Sequence, residues 1–335
     1  MHLKQAIEKL MQREELDAIR CEEAFSELMS EECSPLQSAA FLTLLRAKPE
    51  TAEEITNIVK FFRTKMIPVS TPHVTLDIVG TGGDGAHTVN ISTGSALLAA
   101  SCGVKIAKHG NRAVSSSAGA ADVLEALGVN IHLTPEKISD MIEQCGFGFC
   151  YAPNFHPALM KLKNLRRELR VPTTLNLLGP LINPATAQHY LLGVANETVA
   201  MVMAKVLQQI GTPRSMVVHG GGLDELSTVG VASILEITPT EIKSFELNPT
   251  DFGFECCHLE ELQGGDAMTN AAILFDVFQG KKGAVSDTLI LNAAMALKIY
   301  GRHESLSMAV DHARDALYGG AAWELLQQLI KQSHE

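Results

Sequence analysis

Two clusters of residues have the types and spacing to do chemistry together. The first is Gly80-Thr81-Gly82-Gly83-Asp84-Gly85, followed by Thr88, Asn90, Ile91, Ser92 and Thr93. Glycines in such a turn leave backbone N–H groups bare, so that a ligand can approach closely. Asn90, Ser92 and Thr93 stand just before an apolar run, Ala96 to Ala100, that reads as a helix. Hydroxyls and free amides at a helix start favour an anion. The second cluster is Lys108-His109-Gly110-Asn111-Arg112-Ala113-Val114, then Ser115, Ser116 and Ser117. A Gly-rich turn, a helix start and a basic loop in succession are what a polyphosphate requires. Any one of the glycines is equally well explained by a tight turn. The cationic, serine-rich loop that follows is not.

Gly80, Gly82 and Gly85 also fit G-x-G-x-x-G, the dinucleotide fingerprint, which calls for an acidic residue roughly 20 positions on. No Asp or Glu lies between Asp84 and Asp122, which argues against a nicotinamide site. Asp224-Glu225 form the other notable pair, after His219-Gly220-Gly221-Gly222. Adjacent carboxylates in a Gly-rich loop past a strand end suit a hard cation such as Mg2+ that shares phosphate oxygens. Adjacent acids on a surface loop also occur with no ligand at all. His219 has no second histidine at ligand spacing and the chain has no H-E-x-x-H, so a histidine-based metal centre finds no support.

The elements that must position these residues follow from hydrophobic periodicity. Residues 3–66 repeat apolar positions at helical spacing (Leu3, Ile7, Leu10; Ala24, Phe25, Leu28; Ile55, Ile58, Val59, Phe62) with no strand signal. Ser34-Pro35 and Pro49-Glu50-Thr51 are helix starts. Lys65 to His73, with two prolines, reads as a linker. Beyond it, strands at 75–79, 104–107, 147–150 and 215–218 alternate with helices at 94–101, 119–127, 135–145, 197–210, 265–279 and 284–300. Residues 231–262 carry two alternating runs that predict a local antiparallel piece, and 304–331 is helical. The expected fold class is α/β: a small helical N-terminal domain plus a larger domain with a mostly parallel central sheet covered by helices.

Composition removes several function classes. The 335 residues, 46% hydrophobic, suffice for one large or two ordinary domains. A formal net charge of −11 argues against a nucleic-acid surface, and 5% aromatics against base-stacking platforms. Seven cysteines without a C-x-x-C pair read as reduced thiols of a cytoplasmic protein. Met1 to Gln12 has no apolar core of a signal peptide, and no uncharged apolar run approaches membrane-spanning length, so no membrane partner is expected.

GTGGD, NIST and KHGNRAVSS together resemble the anthranilate phosphoribosyltransferase family. So do RREL at Arg166–Leu169, NLLGPLINP at Asn176–Pro184, HGGGLDELS at His219–Ser227 and GGDAMTNAAILFDVFQGKKG from Gly264. The first and third motifs would equally suit the related pyrimidine nucleoside phosphorylases; NLLGPLINP with LDELS is more specific. The resemblance spans nearly the whole chain. It implies transfer of a phosphoribosyl group from phosphoribosyl pyrophosphate (PRPP) to the amine of anthranilate, in tryptophan synthesis, with Mg2+ as cofactor and no nucleophile on the protein. It implies a helical domain over 1–70 that takes back a return segment near 174–187. An α/β domain over 74–173 and 188–335 would then bind PRPP, with hinges near 67–74, 170–176 and 184–189. A homodimer through the helical domain is also implied.

The same resemblance assigns residues. Gly80, Gly83, Asp84, Thr88, Asn90, Ile91, Ser92 and Thr93 are expected to hold PRPP, together with Lys108, His109, Gly110, Asn111, Arg112, Ala113, Val114, Ser115, Ser116 and Ala120. Ser92, Asp224 and Glu225 are expected to hold Mg2+, and Gly80, His109, Asn111 and Arg166 to border anthranilate. Lys108 would supply the strongest single charge, where a strand-end lysine alone would be read as solvated. Arg166 would clamp the acceptor carboxylate, where alone it would be read as an exposed helix arginine. His109 is not assigned as a general base. At Ser117-Ala118-Gly119-Ala120 the chain departs from the family's Lys-Ser-Gly-Ser, so Ala120 offers only its backbone. A nucleoside phosphorylase of the same architecture and a catalytically silent nucleic-acid-binding relative remain as competing readings.

Overall fold

The structure is a computed structural model that describes residues 2–30, 32–113 and 117–335. Four helices open the chain: α1 (His2–Met11), α2 (Ala18–Leu28), α3 (Pro35–Ala47) and α4 (Ala52–Lys65). Local chemistry sets their starts. Asp17 caps α2 by accepting the Arg20 N–H, Pro35 occupies the first turn of α3, and Thr51 with Glu54 closes a capping box on α4. Their apolar faces meet around Phe25, whose ring lies edge-on to Phe41 at 5.3 Å and to Phe62 at 5.6 Å.

The rest of the chain builds one seven-stranded sheet. In chain order the strands are β1 (Leu76–Gly80), β2 (Ile106–Gly110), β3 (Phe147–Tyr151), β4 (His189–Gly193), β5 (Ser215–Gly220), β6 (Ala232–Ile237) and β7 (Ile242–Leu247). Their spatial order is β3-β2-β1-β4-β5-β6-β7. The first five are mutually parallel, and β6 and β7 add on antiparallel. The expected fold class and the expected antiparallel piece are both present. Helices α5 (Ile91–Ser101) and α6 (Ala120–Ala126) follow β1 and β2. The buried, nearly all-apolar helix Ala284–Tyr300 packs on α5. Strand order reverses about β1 and β4, so the carboxyl ends of β1, β2 and β4 frame a crevice, the usual ligand position in an open α/β sheet.

Two expectations are corrected. Strand β2 does not stop at residue 107: pairing with β3 carries it through Lys108 and His109 to Gly110↔Tyr151. The basic residues expected in a loop therefore begin inside a strand. Strand β4 was not expected; its pattern, His189-Tyr-Leu-Leu-Gly, lies directly after a Pro- and Ala-rich stretch and has no alternation, because it is central in the sheet and mostly buried.

NLLGPLINP, too rich in proline and glycine for a long helix, begins at the end of the 3-10 turn Thr174–Asn176 and forms a second one, Gly179–Leu181. Leu175, Leu178, Leu181 and Ile182 enter the same apolar core as Phe25, Phe41 and Phe62, which continues to Tyr190, Leu192 and Val217 on one face of the sheet. Leu178 and Leu181 are fully buried; truncating either to alanine would cost about 2–5 kcal/mol.

Candidate active site

Strand β1 ends on Gly80, whose register partner is Gly193 at the end of β4. Both glycines are required by the Asp224 loop lying across them. A Cβ on Gly80 would fall 2.2 Å from Asp224 Oδ2, and one on Gly193 1.6 Å from the Asp224 carbonyl oxygen. The turn beyond, with Gly82 at φ +68° and Gly83 at φ +90°, points the Gly82 N–H at Asp224 Oδ2, 2.6 Å away. Asp84 lies half-buried beside them and accepts the Ala86 N–H at 3.1 Å. Thr88 pairs as an isolated bridge with Gln263.

Helix α5 begins directly over this turn. Asn90 is its cap residue but does not cap it: the side chain donates to the Ala118 carbonyl at 3.1 Å and accepts from Asn270 Nδ2 at 2.8 Å. The first turn instead receives Glu225, whose Oε1 accepts the Ser92 N–H at 3.2 Å. Ile91 and Thr93 point into the core, and the buried Thr93 hydroxyl has no hydrogen-bond partner among the described residues.

Strand periodicity sends Lys108 and His109 to opposite faces of the sheet. Lys108 is not a solvated strand-end lysine: it is 1% exposed, with Nζ 2.6 Å from the Ile78 carbonyl and 3.3 Å from Ser92 Oγ. Burial lowers its pKa, opposed by the carboxylates of Asp77 and Glu225. His109 Nδ1 faces the Gly179 carbonyl at 2.9 Å and its Nε2 faces His156 Nε2 at 3.1 Å. Burial lowers the His109 pKa to about 4 and that of His156 to about 3, so both rings are neutral at pH 7.

The acidic pair is the least comfortable part of the site. Burial raises the Asp224 carboxyl to about 6, with the neighbouring Asp84 charge adding to it. Burial and then Asp224 raise Glu225 well above the ordinary carboxylate range, with Lys108 opposing. Asp224 accepts the Gly82 N–H and its own main-chain N–H, and Glu225 accepts the Ser92 N–H. Among the described residues no three His, Cys, Asp or Glu side chains form a closed metal cage. A hard ion of the Mg2+ type needs none, since it retains water and takes one or two carboxylates with substrate phosphate. Two crowded, under-donated carboxylates beside the Ser92 hydroxyl fit that donor set.

The remaining assigned residues divide. Gly110, Asn111 and Ala113 continue from β2. Ala120 begins α6, its Cβ against Gly110. Arg112 is directed to Asp122 at 2.9 Å, Glu125 at 2.5 Å and the Tyr151 hydroxyl at 3.2 Å. Its charge is thus already paired. Val114, Ser115 and Ser116 lie outside the described residues. Arg166 lies on the helix Lys163–Leu169, which packs on α3. It is half-buried, burial lowers its pKa, and its guanidinium has no hydrogen bond or ion pair among the described residues.

Sequence reasoning passed over Asp77, His156 and Gly179, which touch the assigned His109 directly, and Asn183, which touches Asp77. Asp77 had a usable signal, an aspartate inside a strand that is otherwise apolar; such a buried charge needs a partner. Nothing local marked Asn183, whose amide donates to partners more than 70 positions away.

Comparison with known proteins identifies the family. Residues 4–66 match the family described as "Glycosyl transferase family, helical bundle domain", and residues 72–323 the family described as "Glycosyl transferase family, a/b domain". The chain is 46% identical to the anthranilate phosphoribosyltransferase of Chlamydia felis, over 93% of this chain and 92% of that one. It superposes on the Thermus thermophilus enzyme of the same name with a TM-score of 0.93 at 39% identity, covering 98% of this chain and 99% of that one. On the Saccharomyces cerevisiae enzyme, solved in complex with PRPP and Mg, the TM-score is 0.90 at 28% identity, covering 99% and 98%. With identity at this level across nearly its full length, the chain belongs to the anthranilate phosphoribosyltransferase family.

Proposed function

We propose that this protein joins PRPP and anthranilate: the bond from ribose C1 to the diphosphate oxygen breaks, the anthranilate nitrogen bonds to C1, and the amine gives up a proton. Pyrophosphate and N-(5'-phosphoribosyl)anthranilate leave. The observation that carries this reading is the meeting of the glycine turn, the buried Lys108 and the Asp224-Glu225 pair around the start of α5.

In such a transfer the sugar becomes oxocarbenium-like and negative charge collects on the leaving diphosphate. The protein's task is to orient the donor and balance that charge. Backbone N–H groups of Gly80, Gly83 and the α5 start would bind phosphate oxygens, with Asp84, Thr88 and Asn90 lining the turn. Asp224, Glu225 and the Ser92 hydroxyl would hold Mg2+, which supplies positive charge to the diphosphate when bound. Lys108 adds a cation from below. On the other face of β2, His109 and Asn111 would border the acceptor, and the unpaired guanidinium of Arg166 would grip its carboxylate. A neutral His109 whose Nδ1 serves the Gly179 carbonyl is built to shape the site, not to carry a proton.

Water must be kept from the sugar. Residues 1–70 with 174–187 act as one body that closes on 74–173 and 188–335, hinged near 67–74, 170–176 and 184–189. Support comes from the shared core of α1–α4 with the return segment, and from the Val69 N–H bond to the Pro184 carbonyl, which ties two crossings together. Exposed Met11, Ile19 and Leu36 on the helical body favour a homodimer through that body, checked by light scattering at micromolar concentration. Seven free cysteines and the absence, among the described residues, of any helix long and apolar enough to cross a membrane favour the cytoplasm.

The test uses anthranilate's own fluorescence. Mixing protein, Mg2+, PRPP and anthranilate should extinguish it, with no loss when any one component is omitted. A constant signal, with nucleoside cleaved in the presence of phosphate, would transfer the protein to the phosphorylases.

A further inference from the structure

Strands β1 and β2 are neighbours in the sheet but pair at only one position, Leu76↔Ile106. Each pairs through five positions with its other neighbour, β1 with β4 and β2 with β3. From Asp77 and Ala107 onward the ladder between them is replaced by side chains. Lys108 Nζ donates to the Ile78 carbonyl at 2.6 Å. The Asp77 carboxylate accepts the His109 N–H at 3.3 and 3.4 Å. Asn183 Nδ2 donates to Asp77 Oδ2 and to the Ala107 carbonyl, both at 2.7 Å, while its Oδ1 accepts the Ala185 N–H at 2.8 Å. Asp77 and Asn183 are wholly buried, and Lys108 and His109 nearly so.

Asn183 does not belong to the sheet. It sits in the return segment between one anchor to the helical body and one to the linker that follows α4. On one side the Leu181 carbonyl accepts from Arg63 of α4 at 3.1 and 2.9 Å; on the other the Pro184 carbonyl accepts the Val69 N–H at 3.0 Å. The same segment presents the Gly179 carbonyl to His109 Nδ1. One amide, fixed from the helical body, therefore satisfies both β1 (through Asp77) and β2 (through Ala107) where they part.

We infer that Asn183 and Asp77 are positioning residues that act through Lys108: they hold the opening between β1 and β2, so the Lys108 ammonium crosses it toward Ser92 and the donor. The inference rests on the proposed reading of the site. An intact ladder would occupy the Ile78 carbonyl with a β2 amide and leave Lys108 no crossing. An opening without Asn183 would leave Asp77 and the Ala107 carbonyl buried and under-partnered, which folded proteins avoid. Because Asn183 is carried by the return segment, seating of that segment and placement of Lys108 become one event.

The test is steady-state kinetics on the full chain, with unfolding midpoints recorded for every variant. Asn183→Asp differs little in shape but sets a second carboxylate against Asp77. It should lower kcat/KM for PRPP about a hundredfold, as for a displaced reacting group. The swap Asp77→Asn with Asn183→Asp restores the donor between the two side chains and leaves the His109 N–H an oxygen, but sets a carboxylate against the Ala107 carbonyl; it should therefore recover only part of the loss, about tenfold, within the coupling of one hydrogen-bonded network. Asn183→Ala combined with Lys108→Met should be no worse than Lys108→Met alone, since both act on the same ammonium. A swap that recovers nothing, or an Asn183→Ala loss that adds in full to that of Lys108→Met, would overturn the inference. If Asn183→Ala does not fold, the swap alone decides. A wild-type protein inert toward anthranilate would sink the reading beneath it instead, so the two failures are separable.

Discussion

Glu54 in the helical body and the Asp224-Glu225 pair above the sheet are both buried carboxylates, and their surroundings differ in kind. Glu54, 1% exposed, accepts the Leu16 N–H at 3.0 Å, Lys48 Nζ at 2.7 Å, the Thr51 N–H at 3.0 Å and the Thr51 hydroxyl at 3.4 Å. It joins three chain segments and has nothing left to offer. Asp224 and Glu225 repel each other and Asp84, offset only by main-chain N–H groups and the charge of Lys108. The cost of burying charge is met inside the protein at Glu54 and only partly met at Asp224-Glu225. A fully partnered carboxylate holds a fold together; a crowded, under-partnered one awaits a cation.

The largest expected effect breaks the first half of that comparison. Glu54→Ala leaves Lys48, whose side chain is 6% exposed, without a counter-charge, and strands two backbone N–H groups. Removing one partner of a buried pair costs about 3–5 kcal/mol, read by denaturant unfolding. Michaelis constants of the folded protein should not move. A neutral Glu54→Ala would mean that donor number says little about role.

The second half predicts the reverse. Asp224→Asn with Glu225→Gln should lower kcat about 10²–10³-fold, the scale of losing electrostatic stabilisation of a leaving group, without lowering stability. The pH dependence has a definite sign. The Asp224 carboxyl is raised from 3.8 to about 6 in the folded protein, so between those values the folded state holds a proton that the unfolded state has lost. Stability conferred by that proton is greatest below about 4 and gone above about 6. Asp224→Asn should flatten this part of the profile. Mg2+ should raise the wild-type unfolding midpoint at pH 7 and do so less at pH 5, because the ion competes with protons. Equal Mg2+ stabilisation at both pH values would remove the carboxylates from its site.

A third effect extends the comparison to cations. Arg112 is paired with Asp122 and Glu125, whereas Arg166, half-buried, is paired with nothing among the described residues. Arg166→Lys keeps the charge and loses the bidentate fork, so the Michaelis constant for anthranilate should rise about tenfold, in line with a charge-assisted hydrogen bond, while that for PRPP stays put. A matching rise for PRPP would place Arg166 elsewhere.

How much of this was legible beforehand follows the same division. The helical body was readable because its apolar spacing and caps are local, and the glycine turn because its residue types have few other uses. Asn183 and His156 were silent, since their meaning lies in partners brought from 47 to 106 positions away, and β4 was silent because a mostly buried central strand has no alternation to read. Lys108 was found, but as a loop cation. Only pairing with β3, which extends β2 past it, shows that it is buried.

The smallest effect asks whether a site can manage with backbone alone. Ala120 stands where the family pattern has serine, and its Cβ lies 3.1 Å from where a Cβ on Gly110 would be, so its side chain projects over the carboxyl end of β2. Around it the backbone is already held. The Asp122 carboxylate accepts the Ala113 and Gly119 N–H groups, each at 2.9 Å, and the Ala121 N–H donates to the Asn111 carbonyl at 3.2 Å. A hydroxyl added at 120 would therefore meet no unsatisfied group named among the described residues and would be left for the donor. One neutral hydrogen bond contributes about 0.5–1.5 kcal/mol, so Ala120→Ser should lower the Michaelis constant for PRPP about two- to tenfold, with kcat and the unfolding midpoint unchanged. If the constant does not move, the chain already holds the diphosphate through main-chain N–H groups at this corner. Position 120 would then contribute shape alone, and the departure from the family pattern would cost the enzyme nothing.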